Sequence, residues 1–228
     1  MSIVLIGGGD HIDDLEPSYI DSNIVSMTQK DHPNFLFIGL ASHYSDSKYD
    51  QMKKIYQKLG CNCQYLKKKN LIHNPSIVED KINSSDIIYF CGGDTLKLLE
   101  EISSFQLEDL LKKAYQRGTI LVGSSAGAIL LSKKGFSDSF ILRGEKDTYS
   151  FVDGLGFCDY SICPHYHEDS SKTSQLKDFL KDSNDIIYGL EEGTAMVVDG
   201  NKLSFLNSSN HFVYKVTYHK SFVEEKCQ

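Results

Sequence analysis

Short all-apolar runs alternate with helical patterns through the first half of the chain. Ile3 to Ile6, Asn34 to Leu40, Asp86 to Cys91 and Thr119 to Val122 are the clearest runs. Each is apolar at successive positions rather than at alternate ones, as a strand buried on both faces of a parallel sheet requires. Between them the apolar residues recur at helical spacing: Leu15 to Thr28, Ser45 or Ser47 to Leu59, Ser76 to Ile82, Thr95 to Glu101 and Glu108 to Arg117. Gly60 predicts the stop of the second helix, and Cys63 to Leu66 reads as a short extra strand. The alternation βαβα predicts parallel strands joined by right-handed crossovers, an α/β fold.

Beyond Ser132 the pattern changes. Gly135 to Phe140 and Asp147 to Leu155 read as loops and short irregular strands. Ser161 to His167 is a strand ending in a histidine pair, Ser171 to Leu180 an amphipathic helix, and Ile186 to Leu190 a further strand. From Thr194 the period becomes two, with Asp199-Gly200 as a hairpin turn. No repeat, low-complexity tract or linker interrupts the chain, so residues 1–228 are expected to form a single domain.

A length of 228 residues suits one well-buried α/β domain, and 40% hydrophobic with 24% charged residues is ordinary for a globular protein. The formal net charge of −7 argues against nucleic acid or an anionic membrane as the main partner. Lys67-Lys68-Lys69 reads as a solvated loop. The apolar N-terminal run is far too short for a signal peptide or membrane span, which gives a cytoplasmic expectation. The six cysteines lack paired C-x-x-C spacing, so neither a disulfide framework nor a thiolate metal site is expected.

The candidate chemistry lies after the fourth long apolar run. Gly123-Ser124-Ser125-Ala126-Gly127 fits G-x-S-x-G between a strand pattern and an apolar helical one, the context of a nucleophile elbow. A sharp turn there exposes the Ser125 hydroxyl and aims the first helical N–H groups at the same space, where they stabilise a developing oxyanion. The plainer reading is a glycine-rich turn that packs or holds a phosphate. A serine hydroxyl needs a base, and among the downstream histidines (His165, His167, His211, His219) His165 closes a β-run, where a loop can hold it over a neighbouring strand end. His167 is a partner or a bystander, and a metal held by the pair would need more ligands than the sequence offers. Gly92-Gly93-Asp94 leaves backbone N–H groups to face a ligand, or simply caps the next helix. Gly7-Gly8-Gly9-Asp10 lacks the dinucleotide spacing, and its aspartate would repel a pyrophosphate, so it reads as a loop lining a cleft.

Taken together, Gly92-Gly93-Asp94-Thr95, Gly123 to Ala128, Gly154-Leu155-Gly156-Phe157 and Cys163-Pro164-His165-Tyr166 resemble peptidase E and its relatives, the serine peptidases that include cyanophycinase. The resemblance implies a flavodoxin-like three-layer sandwich akin to class I glutamine amidotransferases, with a mostly parallel central sheet and a C-terminal hairpin region. It implies hydrolysis of small peptides, typically dipeptides with an N-terminal aspartate. By position it implies Ser125 as nucleophile, His165 as base, backbone N–H groups of Gly93 and Ala126 as oxyanion hole, and Asp138 as third triad member, with Glu145 and Asp147 as alternatives. Glu191-Glu192-Gly193 resembles an acidic segment of these peptidases, which makes Glu192 a candidate partner for a substrate α-ammonium. Gly92, Asp94 and His167 complete the expected substrate contacts.

One residue type is missing from that pattern. A pocket for an aspartate side chain calls for an arginine fork. The only arginines are Arg117 and Arg143, neither just beyond His165, so Lys172 or Lys177 would have to substitute. The expectation is a serine peptidase acting on short peptides, with no metal or organic cofactor, as monomer or homodimer. An α/β-hydrolase esterase and a flavodoxin-like phosphate binder are the competing readings.

Overall fold

The computed structural model describes residues 1–9, 15–42, 45–207 and 210–228; Asp10 and its expected role lie outside them. The apolar runs pair as their composition requires. β1 (Ser2–Ile6), β2 (Asn34–Ile38), β3 (Asn62–Leu66), β4 (Ile87–Phe90) and β5 (Ile120–Ser124) are mutually parallel, in the order β1-β5-β4-β2-β3. Their crossovers are α1 (Tyr19–Met27), α2 (Ser45–Lys58), the pair α3 (Lys68–His73) and α4 (Pro75–Asn83), and the pair α5 (Thr95–Ser104) and α6 (Glu108–Gln116). The α/β class and the flavodoxin-like sheet are as the sequence predicts.

The lysine run is not the loop expected of it. Lys68 and Lys69 open α3, where the Asn70 side chain accepts from the Lys67 N–H at 3.0 Å, Leu71 is buried, and Lys68 pairs with Glu101 on α5. Once its charges find partners and one apolar residue finds a core, the segment has reason to coil.

The elbow helix α7 (Ala126–Leu131) is buried at all six positions. It is apolar all round because it lies between two sheets rather than on one. Its residues share a core with Leu5, Phe90 and Leu98 on one side and with Val152, Ile162, Leu190 and Val213 on the other. The second group belongs to a six-stranded sheet that sequence patterning does not separate from the first.

This second sheet contains β6 (Lys134–Ser137), β7 (Ser150–Asp153), β8 (Ser161–Pro164), β9 (Ile187–Leu190), β12 (Val213–His219) and β13 (Ser221–Lys226), in the order β13-β12-β9-β8-β6-β7. β6, β8 and β9 are parallel, and α8 (Ser139–Leu142) and α9 (Ser170–Lys181) connect them. β10 (Ala195–Asp199) and β11 (Lys202–Leu206) form the Asp199-Gly200 hairpin and return to the first sheet as its antiparallel edge beside β1.

Candidate functional site

Two sets of parallel strands present their carboxyl ends to one cleft. From the first sheet come the loops after β1 (Gly7 to Gly9), β4 (Gly92, Gly93) and β5 (Ser125), adjacent in the order β1-β5-β4. From the second come His165, which follows β8, and Glu192, which follows β9. Carboxyl ends of parallel strands are where α/β folds bind ligands. Two backbone hydrogen bonds stitch the two ends together, the His165 N–H donating to Gly7 O at 2.9 Å and the Gly193 N–H to Gly8 O at 3.0 Å, while within the first sheet the Ser125 N–H donates to Ile6 O at 3.0 Å.

Ser125 sits at φ 52°, ψ −109°, a strained conformation for a residue with a side chain. The turn that imposes it needs both flanking glycines. A Cβ on Gly123 would lie 2.1 Å from Gly127 O, and one on Gly127 would lie 2.2 Å from Phe90 O. The G-x-S-x-G spacing therefore has a steric cause: strand, turn and helix approach to within backbone contact, and the hydroxyl is lifted over the sheet edge.

The Ser125 Oγ lies 2.9 Å from His165 Nε2, and His165 Nδ1 lies 2.8 Å from Glu192 Oε1. Hydroxyl, imidazole and carboxylate thus form one continuous line. His165 is itself at φ 51°, so its ring is turned off the strand and over Ser125.

The carboxylate on Nδ1 is not the one the sequence suggested. Asp138 follows β6, which flanks β8 on the side away from β9, whereas Nδ1 faces the β9 side where Glu192 arrives. Asp138 instead starts α8 and helps line a pocket beside Ser125. Glu145 and Asp147 are exposed beyond α8. Glu192, expected at a substrate ammonium, is the imidazole's partner. A second carboxylate, Glu168, also comes within 2.9 Å of Nδ1 but makes no hydrogen bond with it.

His167 is held away from the reacting atoms. Its Nδ1 lies 2.8 Å from Glu191 Oε1 and its Nε2 2.9 Å from Glu224 Oε1 on β13, which also accepts from the Tyr166 hydroxyl. Burial, reinforced by that carboxylate, pushes the Tyr166 phenol well above its ordinary range, so it stays a donor. Glu191 further accepts from the Phe212 N–H at 2.7 Å, and His211 Nδ1 lies 2.8 Å from Glu192 O. These contacts fasten the β9–β10 turn, and with it Glu192, to the C-terminal strands. Nothing in the local sequence around Glu191 or Glu224 signals this clamp, because its members are far apart in the chain.

Two pockets open on either side of Ser125 and His165. One, of about 250 Å³, runs toward α2 and is walled by Phe37, Met52 and Tyr89, with Lys48 at its edge. The other, of about 560 Å³, is lined by Ser137, Asp138, Lys97 and Lys172 together with the apolar Ile129, Phe136 and Leu142. Gly93 borders both. Its φ of 146° turns the backbone beside Ser125, and a Cβ there would lie 2.4 Å from Ala41 O. Ala126 begins α7, so its N–H has no acceptor within the helix. Asp94 caps α5 through the N–H groups of Leu96 and Lys97 and pairs with Arg143 Nε at 2.9 Å, so its carboxylate is committed to structure. Arg143 also grips Glu100 with both terminal nitrogens.

Lys172 is 7% exposed, donates to Pro164 O, and lies over the Tyr149 ring. Lys177 instead covers Phe222 on β13. Of the two lysines singled out from sequence, Lys172 is the one in the cleft. Cys163, two residues before His165, is no rival nucleophile: burial pushes its thiol up to about 11.

The esterase reading finds no support in the sheet, since the residues that meet Ser125 come from a separate six-stranded sheet rather than from an extension of the first. Among the described residues no helix is long and apolar enough to cross a membrane.

Several known proteins are similar to this chain. An uncharacterized peptidase of Bacillus subtilis (strain 168), YgaJ, is 26% identical over 85% of this chain and 81% of its own length. A peptidase E of Shewanella amazonensis is 27% identical over 66% of each chain, and a probable alpha-aspartyl dipeptidase of Drosophila melanogaster 24% identical over 79% and 75%. Among solved structures, a peptidase from an acI-B1 Actinobacterium superposes with a TM-score of 0.72 at 22% identity, over 99% of this chain and 94% of that one. The sequence pattern of Peptidase family S51 matches residues 3–206. The chain therefore belongs to peptidase family S51 and is a serine-type peptidase.

Proposed function

We propose that the protein hydrolyses short peptides through an acyl-enzyme on Ser125. The observation that carries this is the unbroken line from Ser125 Oγ through the His165 ring to Glu192, at 2.9 and 2.8 Å. With its proton on Nδ1 and directed at Glu192, the ring offers the Nε2 lone pair to the hydroxyl. As Oγ bonds to the peptide carbonyl carbon, its proton passes to Nε2. The imidazolium is stabilised by Glu192, and the oxyanion by the N–H groups of Gly93 and Ala126. Nε2 then returns the proton to the leaving amine as the C–N bond breaks. Water, deprotonated by the same nitrogen, releases the acid and restores Ser125. In this scheme Glu192 takes the orienting role that sequence position gave to Asp138.

The finer reading is a dipeptide substrate with an acidic first residue. Lys172 is fixed at the wall of the larger of the two pockets, and Arg143 is occupied by Asp94 and Glu100. A single buried ammonium can receive a side-chain carboxylate without the two-pronged geometry of an arginine. The alpha-aspartyl dipeptidase name of one relative points the same way.

A panel of Asp-, Glu- and neutral-first dipeptides, with p-nitrophenyl acetate beside it, tests both levels. Cleavage that disappears in Ser125→Ala and favours Asp- or Glu-first substrates is expected. Ester turnover with no peptide cleaved contradicts the peptidase reading, and equal rates on all first residues contradict the acidic preference alone.

A further inference from the structure

Glu168 has no place in the scheme above, yet it is as near the imidazole as Glu192. Its Oε2 is 2.9 Å from Nδ1, against 2.8 Å for Glu192 Oε1. One N–H bond has one axis, and Glu192 occupies it. Glu168 approaches the same nitrogen off that axis, so its carboxylate stands beside the Glu192 carboxylate at Nδ1. The Nδ1 atom and one oxygen from each carboxylate all lie within 4.8 Å of one another.

We propose that His165, Glu168 and Glu192 form a binding site for a divalent transition metal, with Zn²⁺ as the type ion, and that its occupation switches the peptidase off. The donors are one imidazole nitrogen and two carboxylates, the mixed N/O set that suits zinc rather than magnesium or calcium. Bonds of about 2.0–2.1 Å in a tetrahedral arrangement separate ligand atoms by about 3.3–3.5 Å. Each carboxylate therefore has to retreat from Nδ1 by only about half an ångström. Side-chain exposures of 31%, 57% and 39% for His165, Glu168 and Glu192 leave an entry path and a fourth position for water. Glu168 lies in the turn just after β8, three residues beyond His165, so its approach is local and needs no rearrangement of the sheets.

Inhibition follows from the ring's proton count, and this part rests on His165 acting as the base. The working ring carries one proton, on Nδ1, and accepts a second at Nε2. A metal bound at Nδ1 uses that nitrogen's lone pair, so the neutral ring keeps its single proton on Nε2. Facing Ser125 is then a donor instead of an acceptor, and Oγ cannot lose its proton. No substrate bond is made or broken in the switch, and a chelator restores the original tautomer.

Calorimetric titration of the Ser125→Ala protein with ZnCl₂ reads the site without turnover. One zinc per chain is expected, with affinity reduced at least tenfold when Glu168→Gln is added. In parallel, zinc should inhibit wild-type dipeptide hydrolysis, reversibly with EDTA. Glu168→Gln, which leaves Glu192 to orient the ring, should need at least tenfold more zinc for half-inhibition of its own zinc-free rate. Equal zinc affinity with and without Glu168 would overturn the proposal and assign the metal to the cysteines or another surface. So would the absence of binding. If no dipeptide is cleaved, the calorimetric arm still decides the site on its own, and the failure falls on the peptidase reading instead.

Discussion

Replacing Gly8 by alanine tests how closely the first sheet fits the imidazole of the second. A Cβ built on Gly8 would lie 2.2 Å from His165 Cε1, 2.7 Å from Nδ1 and 2.8 Å from Nε2. Carbon atoms in contact sit about 3.5 Å apart, so the ring must retreat by roughly 1 Å or more. The ring has little freedom to do so in place, because the His165 backbone N–H is bonded to Gly7 O and the ring Nδ1 to Glu192. Starting from 2.9 Å, the Oγ–Nε2 separation would leave the range of about 2.6–3.2 Å in which proton transfer is set up. Misplacement on that scale costs on the order of 100-fold in rate. Gly8 is at φ 125°, so alanine also strains the backbone. Gly118→Ala is the matched control: its φ is 97°, and nothing lies within 4 Å of the added Cβ. Both variants should lose stability in thermal melts, while only Gly8→Ala should lose about two orders of magnitude in kcat. A folded Gly8→Ala protein with activity within about threefold of Gly118→Ala would refute the reasoning, since a threefold change is less than 1 kcal/mol of barrier.

Glu192→Gln should lower kcat by about 10³–10⁴ by allowing the wrong tautomer, whereas Asp138→Asn should change it by less than about tenfold; steady-state kinetics on one dipeptide distinguishes them. Lys172→Met should raise KM for Asp-first dipeptides by about tenfold and leave neutral-first substrates nearly unchanged, the share of a single charge-assisted contact. Burial alone would raise the Asp94 carboxyl, but Arg143, the Lys97 N–H and the Ser139 hydroxyl outweigh it and hold the group below its ordinary value. A carboxyl lowered by folding stabilises the protein above its unfolded value, about pH 4, and loses that contribution as pH falls through the folded one. Urea unfolding should therefore show Arg143→Met less stable than wild type by about 1 kcal/mol at pH 7, with the gap closing below about pH 4. A gap independent of pH removes the ion pair as its cause.

Much of this arrangement was legible in local sequence. The buried parallel strands announced themselves because residues apolar on both faces leave no alternation to misread. The tight strand–turn–helix at Ser125 was legible because two backbone contacts, Gly123 to Gly127 O and Gly127 to Phe90 O, permit no side chain at fixed spacing. His165 was legible from its place at the end of a β-run. Glu192 was found as a residue but not in its role. That role depends on β9 lying beside β8 with β6 on the far flank, an ordering set by long-range packing around α7. The same holds for the second sheet as a whole. Its strands are short and joined by irregular segments, and only the burial of α7 on both sides reveals that two sheets are present. The clamp on Glu191 by His167 and Phe212 spans 24 and 21 residues, beyond any local signal.

Mass-spectrometric mapping of a fluorophosphonate adduct tests the central claim most directly, because the reagent modifies a serine only when a neighbouring base activates it. The account predicts one adduct per wild-type chain, on the peptide carrying Ser125, and its loss in a folded His165→Ala protein. An unlabelled wild type, or labelling of Ser125 that persists without His165, would contradict it.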